Sequence, residues 1–248
     1  MTDAAIEFDP PNLTGTAAVV TGGGSGIGAA CARALAGCGA TVFLVGRRPG
    51  PLRAMARTLG TQGRVFPADI TDGGAMERLA QAIQADGFDA LHTLVNNASI
   101  LGPRSTLHDT TLAQFNEVLA INGSGTFSVT RALLPLLAAA QPEANVINIT
   151  SSVGRAGRAS WGPYSASKFV VESLTQTWAQ ELASDGIRVN ALNPGGTRTA
   201  MRAEAMPDED PATVPEPRDV VPSVLFFLSP QSQEAKITGR SLNSRDFM

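Results

Sequence analysis

Residues 17–35 read AAVVTGGGSGIGAACARAL, a short apolar run, a stretch dense in glycine, and an alanine-rich run of helical character. This is the pattern of a strand, a tight turn and a helix. Gly22, Gly26 and Gly28 let the backbone turn sharply, approach a pyrophosphate closely and pack helix against strand. The helix that follows presents unpaired N–H groups and the positive end of its dipole to whatever anion lies there. A flexible surface loop explains the glycines alone, but not their place between the first strand and the first helix.

Working outward, short β-branched runs alternate with longer helical stretches. Strands are expected at 17–20, 41–45, 64–66, 92–95, 145–150 and 188–192, with helices near 26–37, 51–60, 72–86, 110–140 and 164–184. The strand segments are continuous apolar runs, as in parallel strands covered on both faces. Such alternation without a break in composition predicts one α/β domain with a doubly wound parallel sheet. The expected layout is an N-terminal tail over 1–13 and a single Rossmann-type domain over 14–248. Residues 200–217, rich in proline and acids, are expected to form a flap over the substrate.

Composition narrows the function classes. The 248 residues are 43% hydrophobic and 17% charged, with a formal net charge of −3. An acidic balance offers no general attraction for nucleic acid, and no window approaches a membrane span of about 20 apolar residues. The first residues lack a basic, then apolar, signal-peptide pattern. Cys31 and Cys38 lie two helical turns apart, about 10 Å by rise, too far for a disulfide. They read as small hydrophobes in a cytoplasmic protein. His92 and His108 have no metal-ligand spacing with each other or with the cysteines, so no metal is expected.

The stretch TSSVGRAGRASWGPYSASK, residues 150–168, holds the only tyrosine in the chain, Tyr164, and one of its two lysines, Lys168. Four residues apart on a helix, they share a face. A phenol serves as a base at neutral pH only if its pKa falls by about three units, roughly 4 kcal/mol. An ammonium ~4 Å away supplies about that at an effective dielectric of 20, so Lys168 is expected to lower the Tyr164 pKa.

These features together resemble the short-chain dehydrogenase/reductase family. The residues that carry the resemblance are Thr21 and the glycines in T-G-x-x-x-G-x-G, NNAS at 96–99, Tyr164 with Lys168, NPGGTRT at 193–199 and ITGRSLN at 237–243. Nearly the whole chain is covered, from about 14 to 243, and the 150–168 and 193–210 regions are similar to a bacterial subgroup of these oxidoreductases. The resemblance implies a sheet of about seven strands and hydride transfer between a nicotinamide and a carbonyl or secondary alcohol, with Tyr164 as acid/base. It implies that Lys168 also holds the nicotinamide ribose and that Ser151, thirteen residues before Tyr164, steadies the substrate oxygen, with the adjacent Ser152 as the alternative that the offset disfavours. Asn122, in VLAINGSGTF, matches an asparagine that holds a water linking the lysine to solvent. A mid-helix asparagine beside glycines also suits the bland role of satisfying nearby backbone groups.

The same resemblance places the cofactor against Thr21, Gly22, Ser25, Gly26, Ile27 and Gly28 of the first turn. It adds Asp69 and Ile70 after the third strand, Asn97 and Ala98 after the fourth, and Pro194, Gly195, Thr197 and Thr199 after the sixth. Gly46 stands where relatives that prefer NAD carry a ribose-binding acid, and Arg47 follows it. Loss of the acid and gain of a base that can pair with a 2′-phosphate predict NADP(H) over NAD(H). The alternatives are an NAD-linked dehydrogenase and a nicotinamide-binding regulatory or assembly protein without turnover.

On the substrate side, Arg155 and Arg158 lie between Ser151 and Tyr164, and Arg198 and Arg202 approach from the flap. A guanidinium pair there suits a carboxylate or phosphate on the substrate, while ion pairs with the flap acids explain the same arginines without one. Two departures from the family pattern stand out, Ser99 in place of the last glycine of N-N-A-G and a C-terminus ending in SRDFM. The long helix over 110–140 is apolar enough to pack against another subunit, and the resemblance implies a homo-tetramer or homo-dimer.

Overall fold

A computed structural model describes residues 7–247, so residues 1–6 of the expected tail lie outside the described part. Seven parallel strands form one sheet in the order β3-β2-β1-β4-β5-β6-β7. They are β1 (Ala17–Thr21), β2 (Thr41–Gly46), β3 (Gly63–Pro67), β4 (Thr93–Asn96), β5 (Asn145–Ile149), β6 (Arg188–Asn193) and β7 (Ser241–Asn243). The chain runs outward from β1 to β3 and then crosses back to β4 on the other side of β1. That reversal opens a crevice at the carboxyl ends of β1 and β4, where a doubly wound sheet binds its ligand.

Both faces of the sheet are covered. In β1, Ala18 and Val20 join the core under α1 (Gly26–Gly37) and α2 (Pro49–Leu59), while Ala17 and Val19 join the opposite core. That second core is filled from α3 (Gly73–Ala85), α5 (Gly125–Ala139) and α6 (Gly162–Glu181). Burial on both faces is why the strands carry no polar alternation.

The single helix expected over 110–140 is three consecutive segments. α4 (Leu112–Leu119) begins at a capping box of Thr111 and Gln114. A widened π turn, Ala120–Ser124, joins it to α5. Widened turns of this kind often mark functional sites. Here Asn122 sits in it, with its side-chain amide bonded to the backbone of Ile100.

Three helices were not expected from the sequence: α7 (Ala200–Ala205), α8 (Val221–Leu228) and α9 (Pro230–Glu234). In α8, Val224 and Phe227 are fully buried and Phe226 and Leu228 nearly so. A short helix that is apolar on most sides has no 3.6-residue stripe to read. The unusual C-terminus also finds its place. Phe247 packs on Phe226 with ring centroids 5.0 Å apart, and Ser244 donates to the Pro194 carbonyl at 2.8 Å. Phe8 lies against the same Phe226 at 5.8 Å, so part of the N-terminal segment is packed on the domain. No described helix is long and apolar enough to cross a membrane.

Candidate active site

The carboxyl ends of the strands open onto a cavity of about 620 Å³. Its near wall is the glycine turn. Gly22 has φ +66°, and a Cβ there would come within 2.8 Å of the Asn97 Nδ2. Ser25 caps α1 in an extended conformation without a side-chain capping bond, which leaves the first-turn N–H groups open beside the cavity. Ser25, Gly26 and Ile27 line the cavity, whereas Thr21 and Gly28 stand behind it. The Thr21 hydroxyl accepts from the backbone N–H of Asn97 at 2.9 Å and of Ala98 at 3.0 Å. Asn97 returns a bond from Nδ2 to the Thr21 carbonyl at 2.9 Å. Thr21 thereby ties the end of β1 to the end of β4, and a Cβ on Gly28 would strike the Gly22 carbonyl.

Arg47, Asp69 and Ile70 line the side of the cavity beyond β2 and β3. Asp69 accepts from the Thr71 backbone N–H at 2.9 Å and its hydroxyl at 2.8 Å. The backbone bond, with help from the hydroxyl and from the Arg47 charge, holds its carboxyl below the usual range. Among the described residues Arg47 makes no ion pair, so its guanidinium is available to a ligand. A glycine cradle, an uncapped helix start and an unpaired arginine after β2 fit a dinucleotide carrying a 2′-phosphate.

The other side of the cavity, beyond β5 and β6, carries Ser151, Tyr164 and Lys168. Ser151 lies at the turn after β5 and lines the cavity, while the adjacent Ser152 is exposed outside it. Pro194, Gly195, Thr197 and Thr199 form the wall after β6, with Ala98 and Ser99 between the two sides. The Lys168 Nζ donates to the Ile149 carbonyl at 2.8 Å and lies 5.5 Å from the Tyr164 ring centroid.

The expected lowering of the tyrosine pKa is not what the chain alone provides. Burial pushes the Tyr164 phenol up to about 12. Burial likewise pulls Lys168 down to about 8, with the Glu172 carboxylate opposing the fall. Spacing alone gives the charge of the ammonium but not the burial of the phenol. In this site burial dominates both groups. The Tyr164 phenol is therefore held protonated at neutral pH.

Asn122 is buried and does not line the cavity. Its Oδ1 accepts from the Ile100 N–H at 2.8 Å, and its Nδ2 donates to the Ile100 carbonyl and to the Ser167 Oγ, both at 2.9 Å. Both amide hydrogens are thus committed to protein groups.

The suggested guanidinium pair for an anionic substrate is not formed by Arg155 and Arg158. Arg155 turns away to β7, bonding Ser241, Asn243 and the Leu242 carbonyl and pairing with Glu172 at 3.3 Å. Arg158 is exposed and does not line the cavity. Arg198 and Arg202 do line the cavity, but Arg202 grips Glu209 through two bonds of 2.6 and 2.5 Å, and Arg198 pairs with Glu216.

Sequence reasoning missed the polar ladder behind the site. Asn96 Nδ2 donates to the Thr130 hydroxyl and to Asn148 Oδ1, both at 2.9 Å, and Asn148 Nδ2 donates to the Thr175 hydroxyl at 2.8 Å. The signal available was Asn148 inside the otherwise apolar run NVINIT. A second was Glu172, one helical turn beyond Lys168 and reached only after folding by Arg155.

The family model for short chain dehydrogenases matches residues 16–210. The uncharacterized oxidoreductase YciK of Escherichia coli K12 is 39% identical over 221 residues, covering 87% of this chain and 86% of the relative. A short chain dehydrogenase structure from Shigella flexneri 2a, complexed with NADP, is 36% identical with a TM-score of 0.89, covering 96% of this chain and 100% of that one. Another from Escherichia coli CFT073, complexed with NADPH, is 37% identical with a TM-score of 0.88, covering 95% and 98%.

Proposed function

Because the chain belongs to the short-chain dehydrogenase/reductase family, we propose that it is an NADP(H)-dependent oxidoreductase acting on a carbonyl or secondary alcohol. The observation that carries this reading is a single cavity bounded by the glycine turn and Arg47 on one side and by Ser151, Tyr164 and Lys168 on the other. The NADP and NADPH in the similar structures support the choice of cofactor.

The nicotinamide, when bound, supplies hydride in reduction and accepts it in oxidation. The Ser151 hydroxyl donates to the substrate oxygen as negative charge develops there. The Tyr164 phenol delivers its proton to that oxygen, and the Lys168 ammonium stabilises the phenolate left behind. A phenol held near 12 is protonated at neutral pH, the form that can donate to a carbonyl oxygen. Asn122 acts by holding Ile100 on the cavity wall. At the far side, Arg47 pairs with the 2′-phosphate, while Asp69 and Ile70 border the adenine.

Exposed Phe127, Phe169 and Val170 on α5 and α6 support assembly as a homo-tetramer or homo-dimer through these helices. The two unpaired cysteines, Cys31 with its thiol pushed up to about 12 by burial, suit a cytoplasmic setting.

The cofactor reading is tested by titrating NADPH and NADH into wild type and Arg47→Asp, following nicotinamide fluorescence. Wild type should prefer NADPH by at least about tenfold, and the variant should lose or reverse that preference. Equal affinities in wild type would move the chain to the NAD-linked class.

A further inference from the structure

The substrate end of the cavity has its own small apolar core. Leu101, Val153, Trp161, Tyr164 and Ala205 form a buried cluster separate from the two under the sheet, with Met201 packed against it. Leu101, Trp161, Tyr164, Met201 and Ala205 also line the cavity. Trp161 tilts against Tyr164 with ring centroids 5.9 Å apart. The Arg104 guanidinium carbon lies 3.9 Å from the centre of the indole, and its Nη1 donates to the Ser160 carbonyl at 3.0 Å.

Ser160 has φ +63°, a left-handed conformation that is strained for a non-glycine residue. The residue that follows it, Trp161, lines the cavity. Arg104 contributes cation–π attraction and binds the strained residue's own carbonyl. Charge is correspondingly tied up, since Arg202 and Arg198 at the lip are paired with Glu209 and Glu216.

Resting on the carbonyl-reductase reading above, we propose that the substrate is an uncharged carbonyl compound with a hydrophobic, ring-sized substituent. That substituent seats against Trp161, and Trp161, propped by Arg104 and Ser160, sets the size of group the site accepts. The substituent meets Trp161, Leu101 and Met201 while the carbonyl oxygen faces Tyr164 and Ser151. A carboxylate in its place would be desolvated against apolar groups or would have to displace Glu209 from Arg202.

The test uses the full chain loaded with NADPH and two aryl ketones that differ in one group, acetophenone and benzoylformate, with pyruvate as a small anion. Acetophenone should be reduced with kcat/KM at least tenfold above both anions. In Trp161→Ala its KM should rise about tenfold with a smaller change in kcat, while the bulkier 2-acetonaphthone should improve relative to acetophenone. Trp161→Phe should retain the wild-type order. NADPH affinity unchanged in both variants shows that they fold.

Acetophenone should also quench tryptophan fluorescence in wild type and not in Trp161→Phe, where only Trp178 remains. Quenching without turnover of any carbonyl would uphold the apolar subsite and overturn the reductase reading. Turnover with pyruvate or benzoylformate preferred, or no Trp161-dependent quench, would overturn the subsite and leave the reductase reading standing.

Discussion

At Lys168, the proposed catalytic role comes with a cost in stability. It is 3% exposed, and its pKa falls from 10.5 to about 8, which corresponds to roughly 3 kcal/mol against the charged form. The folded pKa is depressed for a basic group, so the penalty is full below pH 8. It fades as pH rises toward 10.5, because over that range the unfolded chain binds the extra proton. Lys168→Met should therefore raise Tm at pH 7 by a few degrees, the gain shrinking near pH 10, while carbonyl reduction falls sharply. In wild type, kcat for reduction should decline as pH rises through about 8, when the ammonium is lost. Calorimetry at the two pH values checks the first part, and a lower Tm for the variant at pH 7 would contradict it.

Among the elements, the junction of β4 and β5 with α5 and α6 matters most for the site. The Asn96–Asn148–Thr175 ladder crosses it in a fully buried setting. Asn148→Ala would remove one of the two acceptors of Asn96 Nδ2 and the donor to the Thr175 hydroxyl, and open a small cavity, a loss of about 2–3 kcal/mol. Chemical denaturation should report that loss, and a change under about 0.5 kcal/mol would deny the ladder its structural role. This ladder also shows where reading the sequence stops. The strand NVINIT was legible as buried, but whether Asn148 met a partner or a ligand depended on Thr175 in a helix far along the chain. The π turn at Asn122 was hidden for the same reason, because its partner is the Ile100 backbone. By contrast, the glycine turn and the Tyr164–Lys168 spacing are local chemistry, and both lie on the cavity as their sequence contexts indicated.

For the whole molecule, a doubly wound parallel sheet was legible from the alternation of continuous apolar runs with helices, whereas the strand order β3-β2-β1-β4-β5-β6-β7 comes from the fold. The pKa balance was not legible, because it depends on total burial, which no spacing encodes. The same limit applied to Arg155, which read either as a substrate contact or as an ion-pair partner of the 204–210 acids until folding brought β7 beside it. Quaternary structure follows from surface rather than spacing. Phe127 is 44% exposed and Phe169 45% exposed, a substantial apolar cost for a lone chain in water. Light scattering should give two or four times the 25.7 kDa chain mass, and Phe169→Glu should lower it. A wild-type monomer at micromolar concentration would contradict the proposed assembly.

The central claim is that Tyr164 is the proton donor for carbonyl reduction by NADPH. Its most direct test compares NADPH oxidation by wild type and Tyr164→Phe across a panel of aldehydes and ketones, with NADPH affinity measured alongside. The account predicts turnover lowered at least about a hundredfold with cofactor affinity changed by less than about twofold. A phenylalanine variant that keeps the wild-type kcat would contradict it.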